Sequence, residues 1–194
     1  MNLYIVAGCN GAGKTTASFT VLPEILNCRE FVNADEIAAW LSPFQPETAA
    51  IEAGRIMLRR IENLLNKNSD FAIETTLATK TYKNTILNAQ EKGYHVCLLF
   101  FWLQTVELAK NRVQKRVEEG GHSIEQAVIE RRYVAGIRNL FEIYLPIVDD
   151  VLIFDNSEGN HDLIAEKLEH SNINIMNQLK YNKLLKYYDA TKKR

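Results

Sequence analysis

Residues 8–15 have the types and spacing of a phosphate-binding loop. They read Gly-Cys-Asn-Gly-Ala-Gly-Lys-Thr, which matches the Gly-x-x-x-x-Gly-Lys-Thr pattern. Glycines let backbone N–H groups approach a polyanion, and the positive end of the following helix dipole points at the same place. We expect Lys14 to reach the β- and γ-phosphates of a nucleotide, and the hydroxyl of Thr15 to complete the coordination of Mg²⁺.

The segments on either side of this loop strengthen the interpretation. The apolar run at residues 3–7 predicts a strand before the loop, and helical periodicity follows it. Thr16 suits capping or packing of that helix, and Cys9 is either a reactive thiolate near a helix N-terminus or an inert small side chain. The residues expected around the phosphates are Gly8, Asn10, Gly11, Ala12, Gly13, Lys14, Thr15 and Thr16.

Two carboxylates follow predicted strands and could carry acid–base chemistry. Asp35 comes just after the predicted strand at residues 30–33, and Glu74 ends the one at residues 71–74. The carboxyl ends of parallel strands meet at one edge of a sheet, so both should lie near the phosphate loop. Asp35 is placed to accept a proton from an attacking hydroxyl, with helix capping as an alternative or additional role. Glu74 should face the site, because burying an unpaired carboxylate is costly.

Hydroxyl and basic side chains supply the remaining candidate contacts. Thr75 and Thr76 could donate hydrogen bonds to a substrate or cap a helix. Arg116 and Arg132 are the favoured phosphate clamps. Arg131 and Arg132 lie about 100° apart on a helix, so only one of the two easily points inward. The turn at residues 117–122 resembles a hinge for a closing lid, with an ordinary helix hairpin as the alternative.

Apolar and helical segments alternate along the chain and predict its fold. Strands are expected at residues 3–7, 30–33, 71–74, 95–102 and 150–155. The strand at residues 95–102 is almost wholly apolar, as in the centre of a parallel sheet covered on both faces. The pattern predicts a three-layer α/β fold with a doubly wound, five-stranded parallel sheet of the P-loop NTPase type. We expect the P-loop domain over residues 1–160 and a helical extension of that domain over residues 161–194.

Composition limits the class of ligand that the protein can bind and its location in the cell. A formal net charge of −1 over 194 residues disfavours a nucleic-acid partner, for which a basic surface is expected. The longest apolar run, residues 96–103, is far shorter than the ~20 residues that span a bilayer, so no membrane association is expected. The three cysteines form neither a paired set nor a metal-ligand spacing, which favours a reducing, cytoplasmic location.

In combination these motifs resemble the zeta toxin family of P-loop kinases, in a short form, over about residues 3–156. The Asn-x-Asp at residues 33–35 and the Glu-x-Thr at residues 74–76 are more specific than the phosphate loop. The resemblance implies a kinase that uses ATP and Mg²⁺ to phosphorylate a hydroxyl of a sugar nucleotide, UDP-N-acetylglucosamine. It also implies an antitoxin protein as a partner.

The resemblance implies a role for each candidate residue. Lys14 and Thr15 would hold phosphate and Mg²⁺, with Asp35 as the base. Glu74 and Thr76 would contact the sugar nucleotide, and Arg116 with Arg131 or Arg132 would stabilise the transferred phosphoryl group. The chain departs from the family at Ala78, where zeta toxins commonly have an arginine and where Lys80 is the nearest cation.

Other functions compete with this interpretation. A kinase of a nucleoside, an antibiotic or a polynucleotide 5′-hydroxyl would share the phosphate loop and differ in its acceptor pocket. A basic C-terminal sequence could serve a polynucleotide: Lys180, Lys183, Lys186, Lys192, Lys193 and Arg194. A non-catalytic nucleotide-binding module is the alternative outside catalysis. A GTPase is disfavoured, because residues 66–69 have a serine in place of the aspartate of the guanine signature.

Overall fold

A seven-stranded sheet in the order β2-β3-β1-β4-β5-β6-β7 forms the centre of the computed structural model, which describes residues 1–169 and 171–192. Lys193 and Arg194 of the basic C-terminal sequence lie outside the described residues. The strands are β1 Asn2–Gly8, β2 Phe31–Asn33, β3 Phe71–Thr75, β4 His95–Trp102, β5 Asp150–Asp155, β6 Asp162–Lys167 and β7 Asn174–Ile175. The first five strands pair in parallel, as the sequence predicts.

Helices connect the strands and cover the sheet. They are α1 Lys14–Thr20, α2 Ala34–Leu41, α3 Ala50–Asn66, α4 Tyr82–Glu91, α5 Val106–Glu118, α6 Gln126–Asn139, α7 Leu145–Ile147 and α8 Gln178–Thr191. Two π-helical segments, Val21–Ile25 and Leu140–Tyr144, and a 3₁₀ segment, Pro46–Ala49, extend three of them. Within the described ranges, none of these helices has the length and apolar character needed to cross a membrane.

The buried centre of the sheet explains why the layers assemble around it. From its second residue onward, β4 is buried on both of its faces, so helices must pack against both sides of the sheet. The chain is therefore the doubly wound, three-layer α/β fold that the sequence predicts. β1 lies between β3 and β4, and the strand order reverses there. In such sheets ligands bind beyond the carboxyl ends of the strands at this reversal, which is where the phosphate loop leaves β1.

The C-terminal segment differs from the expected helical extension. It first adds β6 and β7 to the sheet, antiparallel to their neighbours, and only then forms α8. β6 mixes buried Ile164 and Ala165 with polar residues over a single short strand, so no clear apolar alternation marks it in the sequence. α8 packs against α6 through aromatic contacts such as Tyr133–Tyr187.

Candidate active site

The phosphate loop is shaped by two glycines that meet neighbouring chain segments. A Cβ atom at Gly8 would overlap with the carbonyl oxygen of Phe101 on β4, so the chain can leave the sheet there only as glycine. Gly13 has a φ of 80°, and a Cβ there would lie 2.5 Å from Nδ2 of Asn156. The same nitrogen donates to the carbonyl oxygen of Ala12 at 2.7 Å. Asn156, just after β5, therefore braces the loop from behind, a role that the sequence pattern did not predict.

The expected phosphate ligands are gathered around one carboxylate. The Lys14 ammonium donates to the carbonyl oxygen of Cys9 at 3.0 Å and lies 3.6 Å from Oε1 of Glu74. The hydroxyl of Thr15 donates to Oε2 of Glu74 at 2.8 Å. The side chains of Lys14 and Glu74 are only 7% and 8% exposed, so each offsets the cost of burying the other. Glu74 thus contacts the two phosphate-loop residues directly.

Asp35 lies in the first turn of α2, and it is Asn33 that caps this helix. Oδ1 of Asn33 accepts a hydrogen bond from the backbone N–H of Asp35 at 2.8 Å. Asn33 pairs with Glu74 in the β2–β3 register. Asp35, two residues after Asn33, therefore lies at the same strand ends as Glu74. Burial raises the pKa of the neighbouring Glu36 carboxyl, and the charges of Glu74 and Asp35 raise it further. The carboxylates of Asp35, Glu36 and Glu74 therefore lie close together along one cavity.

Three cavities meet at Asp35, and the carboxylate residue lines all of them. The phosphate cavity, about 420 Å³, is lined by Lys14, Thr15 and several other residues of the loop. The threonine cavity, about 230 Å³, is lined by Glu74, Thr75, Thr76, Thr79 and Tyr82 among others. The helix cavity, about 470 Å³, lies between the residues that open α3 and those that open α6, including Pro46, Ala50, Ile124 and Val128.

The predicted loop residues divide into those that face the phosphate cavity and those behind it. Asn10, Gly11, Gly13, Lys14, Thr15 and Thr16 line the cavity. Ala12 is fully buried, and Gly8 is the last residue of β1, packed against β4. Thr16 is exposed, and the N-cap of α1 is Gly13, so capping by Thr16 is wrong.

The three predicted arginines separate clearly in space. Arg116 lines the phosphate cavity, and its Nε and Nη2 are buried without a hydrogen-bond partner in the part of the chain that the structure describes. Arg132 lines the threonine and helix cavities, and its Nη1 donates to Oδ1 of Asn10 at 3.2 Å. Arg131 is exposed and lines a hollow on the outer side of α6 together with Arg138. The inward-facing member of the pair is Arg132.

Two further residues line the site without having been selected from the sequence. Arg112, one helical turn before Arg116, lines the phosphate cavity and donates to the carbonyl oxygen of Ser157 at 2.9 Å. Its i, i+4 spacing from Arg116 is the signal that could have found it. His122, after the Gly120-Gly121 turn, lines both the phosphate and the helix cavities.

The cysteine of the phosphate loop is inert rather than reactive in this arrangement. Cys9 is 6% exposed, and burial raises the pKa of its thiol to about 11 against the opposing effect of Lys14. At neutral pH the neutral thiol therefore dominates, and it is a poor nucleophile.

The oxygen atoms at the loop suit a hard divalent cation that is shared with a nucleotide. Mg²⁺ is usually held by one or two protein oxygens together with substrate phosphates. Thr15 and Glu74 place a hydroxyl and a carboxylate in contact at the mouth of the loop. Among the described residues no group of three or more His, Cys, Asp and Glu could hold a metal by itself. The donor set therefore fits a metal that arrives with phosphate.

The sheet order, the phosphate loop after β1 and the polar rim around Asp35 define a P-loop kinase fold, with the nucleotide-binding capacity that this fold implies. The chain belongs to the zeta toxin family: the family described as Zeta toxin matches residues 2–168.

The chain is also similar to individual proteins and solved structures. A protein of Haemophilus influenzae, described as uncharacterized, is 29% identical over 126 residues, which are 65% of this chain and 88% of that protein. The AvrRxo1-ORF1:AvrRxo1-ORF2 structure with sulphate ions is similar at a TM-score of 0.78 and 18% identity over 94% of this chain. The corresponding structure with ATP gives a TM-score of 0.74 and 18% identity over 94% of this chain. In both, the match covers 63% of the other chain.

A structure of the PezAT chromosomal toxin–antitoxin system of Streptococcus pneumoniae matches all of this chain. Its TM-score is 0.68 at 19% identity, and 88% of that chain is covered.

Proposed function

We propose that this protein is an ATP-dependent phosphotransferase that moves the γ-phosphoryl group to a hydroxyl of a small acceptor. The observation that carries the proposal is the position of Asp35, which lines the phosphate cavity and both cavities beside it. An acceptor in either neighbouring cavity can bring a hydroxyl between this carboxylate and a bound nucleotide. Membership of the zeta toxin family and the P-loop kinase fold support the same class of reaction.

The transfer step assigns a task to each charged side chain. The acceptor oxygen attacks the γ-phosphorus, a new P–O bond forms, the bond to the bridging β–γ oxygen breaks, and ADP leaves. Asp35 takes the proton of the attacking hydroxyl. Lys14, Arg116 and Arg132 stabilise the negative charge that spreads over the phosphoryl oxygens. Arg116 is suited to this because its buried Nε and Nη2 point to no other partner among the described residues.

Nucleotide binding requires the contacts at the loop to rearrange. The Lys14 ammonium contacts Glu74 and the carbonyl oxygen of Cys9. Phosphate oxygens of the nucleotide would replace these contacts. Thr15 and Glu74 would then hold Mg²⁺, which would neutralise part of the negative charge of the nucleotide phosphates. Arg112, held against Ser157, flanks the same cavity on the side of β5.

We propose UDP-N-acetylglucosamine, the acceptor that the family suggests, as the first candidate. The threonine cavity supports a sugar because it offers the hydroxyls of Thr75, Thr76, Thr79 and Tyr82 beside Glu74. Closure of the turn around Gly120-Gly121, which is followed by His122 in the lining of the phosphate cavity, would exclude water from the transfer.

A second candidate is an acceptor without phosphate groups, such as a free sugar, a nucleoside or an antibiotic. Among the described residues, the cations that line the threonine cavity are Lys14 and Arg132, and both serve the transferred phosphoryl group in this mechanism. Ala78 stands where family members commonly have an arginine, and Lys80 is exposed. A diphosphate on the acceptor would therefore have little positive charge to bind.

A protein partner also belongs to the proposal. The PezAT structure comes from a toxin–antitoxin system, and the AvrRxo1-ORF1 structures contain a second protein, AvrRxo1-ORF2. We expect a comparable antitoxin for this chain, in a reducing cytoplasm that suits its three buried free thiols. Co-purification of a tagged protein from its native host tests this, and recovery without a stoichiometric partner contradicts it.

Product analysis with an acceptor panel tests the main proposal. The protein is incubated with Mg-ATP and UDP-N-acetylglucosamine, N-acetylglucosamine, nucleosides, aminoglycosides and 5′-hydroxyl oligonucleotides, and products are identified by mass. We expect one small acceptor to gain a phosphoryl group and Asp35→Asn to abolish that gain. Transfer to N-acetylglucosamine but not to its UDP conjugate would favour the second candidate. ATP binding without transfer to any acceptor would favour a nucleotide-binding module.

A further inference from the structure

One face of α6 reaches both halves of the site. Arg132, Gly136 and Asn139 follow one another at i, i+4 and i+7, which places them on a single stripe of the helix. Arg132 contacts the phosphate loop through Asn10. The other two residues contact the backbone that follows β3, which is the wall of the threonine cavity. We call residues 75–79 the threonine loop.

Three carbonyl groups of the threonine loop are directed at this helix. The carbonyl oxygen of Thr76 comes so close to Gly136 that a Cβ there would lie 2.6 Å away. Nδ2 of Asn139 donates to the carbonyl oxygen of Leu77 at 2.6 Å. Asn139 is 5% exposed, so this is a buried hydrogen bond.

The third contact depends on the π-helical segment that follows α6. The hydroxyl of Tyr144 donates to the carbonyl oxygen of Thr79 at 2.6 Å. In a regular α-helix, position 143 rather than 144 would continue the stripe, because each residue advances about 100°. The π-helical turn Leu140–Tyr144 adds one residue to a turn and so brings Tyr144 onto this face.

The threonine loop needs such support because its backbone is strained. Leu77 has a φ of 54°, in the left-handed region that residues with a Cβ rarely adopt, and its side chain is fully buried. The backbone N–H of Leu77 donates to the hydroxyl oxygen of Thr75 at 3.1 Å. A strained loop persists only where its surroundings hold it, and such loops cluster at functional sites.

We infer that Gly136, Asn139 and Tyr144 are positioning residues that fix the threonine loop relative to the phosphate loop. With its carbonyl groups directed at the helix, the loop keeps Thr75, Thr76 and Thr79 along the cavity beside Asp35. Arg132 is on the same helix, so α6 links the threonine loop to the phosphate loop. The role in acceptor binding rests on the proposed kinase function, whereas the support of the loop does not.

Two tyrosines of this region allow a matched test. Tyr144→Phe removes only the hydrogen bond to Thr79 of the threonine loop. Tyr133→Phe removes an equivalent hydrogen bond, from a buried tyrosine hydroxyl of α6 to the carbonyl oxygen of Leu103 at 2.7 Å. Asn139→Leu, which keeps the size of the side chain, is a second variant. Backbone hydrogen exchange of residues 75–79 is measured by mass spectrometry in the protein without ligand.

We expect exchange of the threonine loop to accelerate about tenfold in Tyr144→Phe and Asn139→Leu, and to stay unchanged in Tyr133→Phe. The affinity for Mg-ADP should stay within about twofold of the unmodified protein, because the phosphate loop is untouched. In the transfer assay the KM for the acceptor should rise about tenfold, with kcat changing less.

Equal exchange in the Tyr144→Phe and Tyr133→Phe variants would overturn the inference. So would faster exchange with an unchanged acceptor KM, because the contacts would then be structural only. If no acceptor is phosphorylated at all, the kinase proposal fails, and the exchange and Mg-ADP measurements still decide whether this face supports the loop.

Discussion

Asn33 caps α2 by accepting the backbone N–H of Asp35 at 2.8 Å, and this relationship leaves the carboxylate of Asp35 out of the cap. An aspartate at the start of a helix is commonly explained as a capping residue. Here the residue two positions earlier fills that role, on the last position of β2. The carboxylate of Asp35 is thus available at the point where the three cavities meet.

Replacement of Asp35 by asparagine should therefore abolish phosphoryl transfer without weakening the binding of Mg-ATP. We expect transfer to fall about 10²–10⁴-fold, because the attacking hydroxyl loses its proton acceptor. Mg-ATP affinity, measured by calorimetry, and the thermal unfolding midpoint should change little. A variant that lost stability and nucleotide binding together would assign Asp35 a structural role instead.

Glu74→Gln tests whether this carboxylate serves the metal and the phosphate loop. The amide keeps the shape but removes the charge opposite Lys14 and weakens the metal site at Thr15. We expect the Mg²⁺ concentration for half-maximal transfer to rise about 10–100-fold. Glu62→Gln, at an exposed position of α3, is the control and should not change the Mg²⁺ titration. An unchanged titration with a raised acceptor KM would place Glu74 on the acceptor alone.

The two adjacent arginines of α6 make a paired prediction. Arg132→Ala should lower kcat about 10²–10³-fold, because it removes a cation that faces the phosphoryl group in transfer. Arg131→Ala should have no effect, since Arg131 is exposed on the outer side of the helix. The kcat of both variants is measured at saturating Mg-ATP. An equal loss of kcat in the two variants would contradict the assignment of Arg132 as the inward-facing arginine.

The thiol of Cys9 should resist alkylation in the folded protein. Its pKa is raised to about 11 by burial, and Cys28 and Cys97 are buried as well. With iodoacetamide at pH 8 we expect slow labelling of all three cysteines, and complete labelling once guanidinium unfolds the chain. Mass spectrometry of the intact protein measures both. Rapid modification of Cys9 alone would instead reveal a reactive thiolate at the phosphate loop.

The ion pairs at the start of α8 should make stability depend on pH. The Lys180 ammonium lies 3.0 Å from Asp155 and 2.6 Å from Asp162. Burial raises the pKa of the Asp155 carboxyl, but hydrogen bonds from Ser157, Gln104 and Lys180 outweigh it and leave the pKa lowered. The contribution of Asp155 is therefore complete above its unfolded pKa of about 3.9 and is lost as the pH falls through the lower folded value.

Lys180 shows the opposite dependence on pH. Hydrogen bonds to Asp162 and Asp155 raise its pKa, so its contribution is complete below its unfolded pKa of about 10.4 and is lost as the pH rises through the folded value. Near pH 7 both contributions are intact. We expect Lys180→Met to lower the free energy of unfolding in urea by about 1–3 kcal/mol at pH 7 and by less at pH 3. Lys183→Met, which loses only a surface contact with Gln104, should cost less than about 0.5 kcal/mol.

The strands of the parallel sheet were predictable because the longer ones, β1, β4 and β5, contain apolar runs between turn residues. β4 and β5 begin and end at the predicted residues. The helix expected after the phosphate loop ends at Thr20, and the chain continues as a π-helical segment around Pro23. β6 and β7 escaped prediction because β6 mixes polar with apolar residues and β7 is only two residues long, so each is recognised by its strand partners rather than by its own sequence.

The sequence by itself determined the phosphate loop, the fold class, and the common edge on which Lys14 and Asp35 meet. These follow from local patterns and from the rule that parallel strands present their carboxyl ends together. Tertiary structure alone decided that Arg132 faces the site, that Glu74 contacts Thr15, and that α6 supports the threonine loop. Such contacts join residues far apart in the chain, and their geometry depends on how the layers pack rather than on local periodicity.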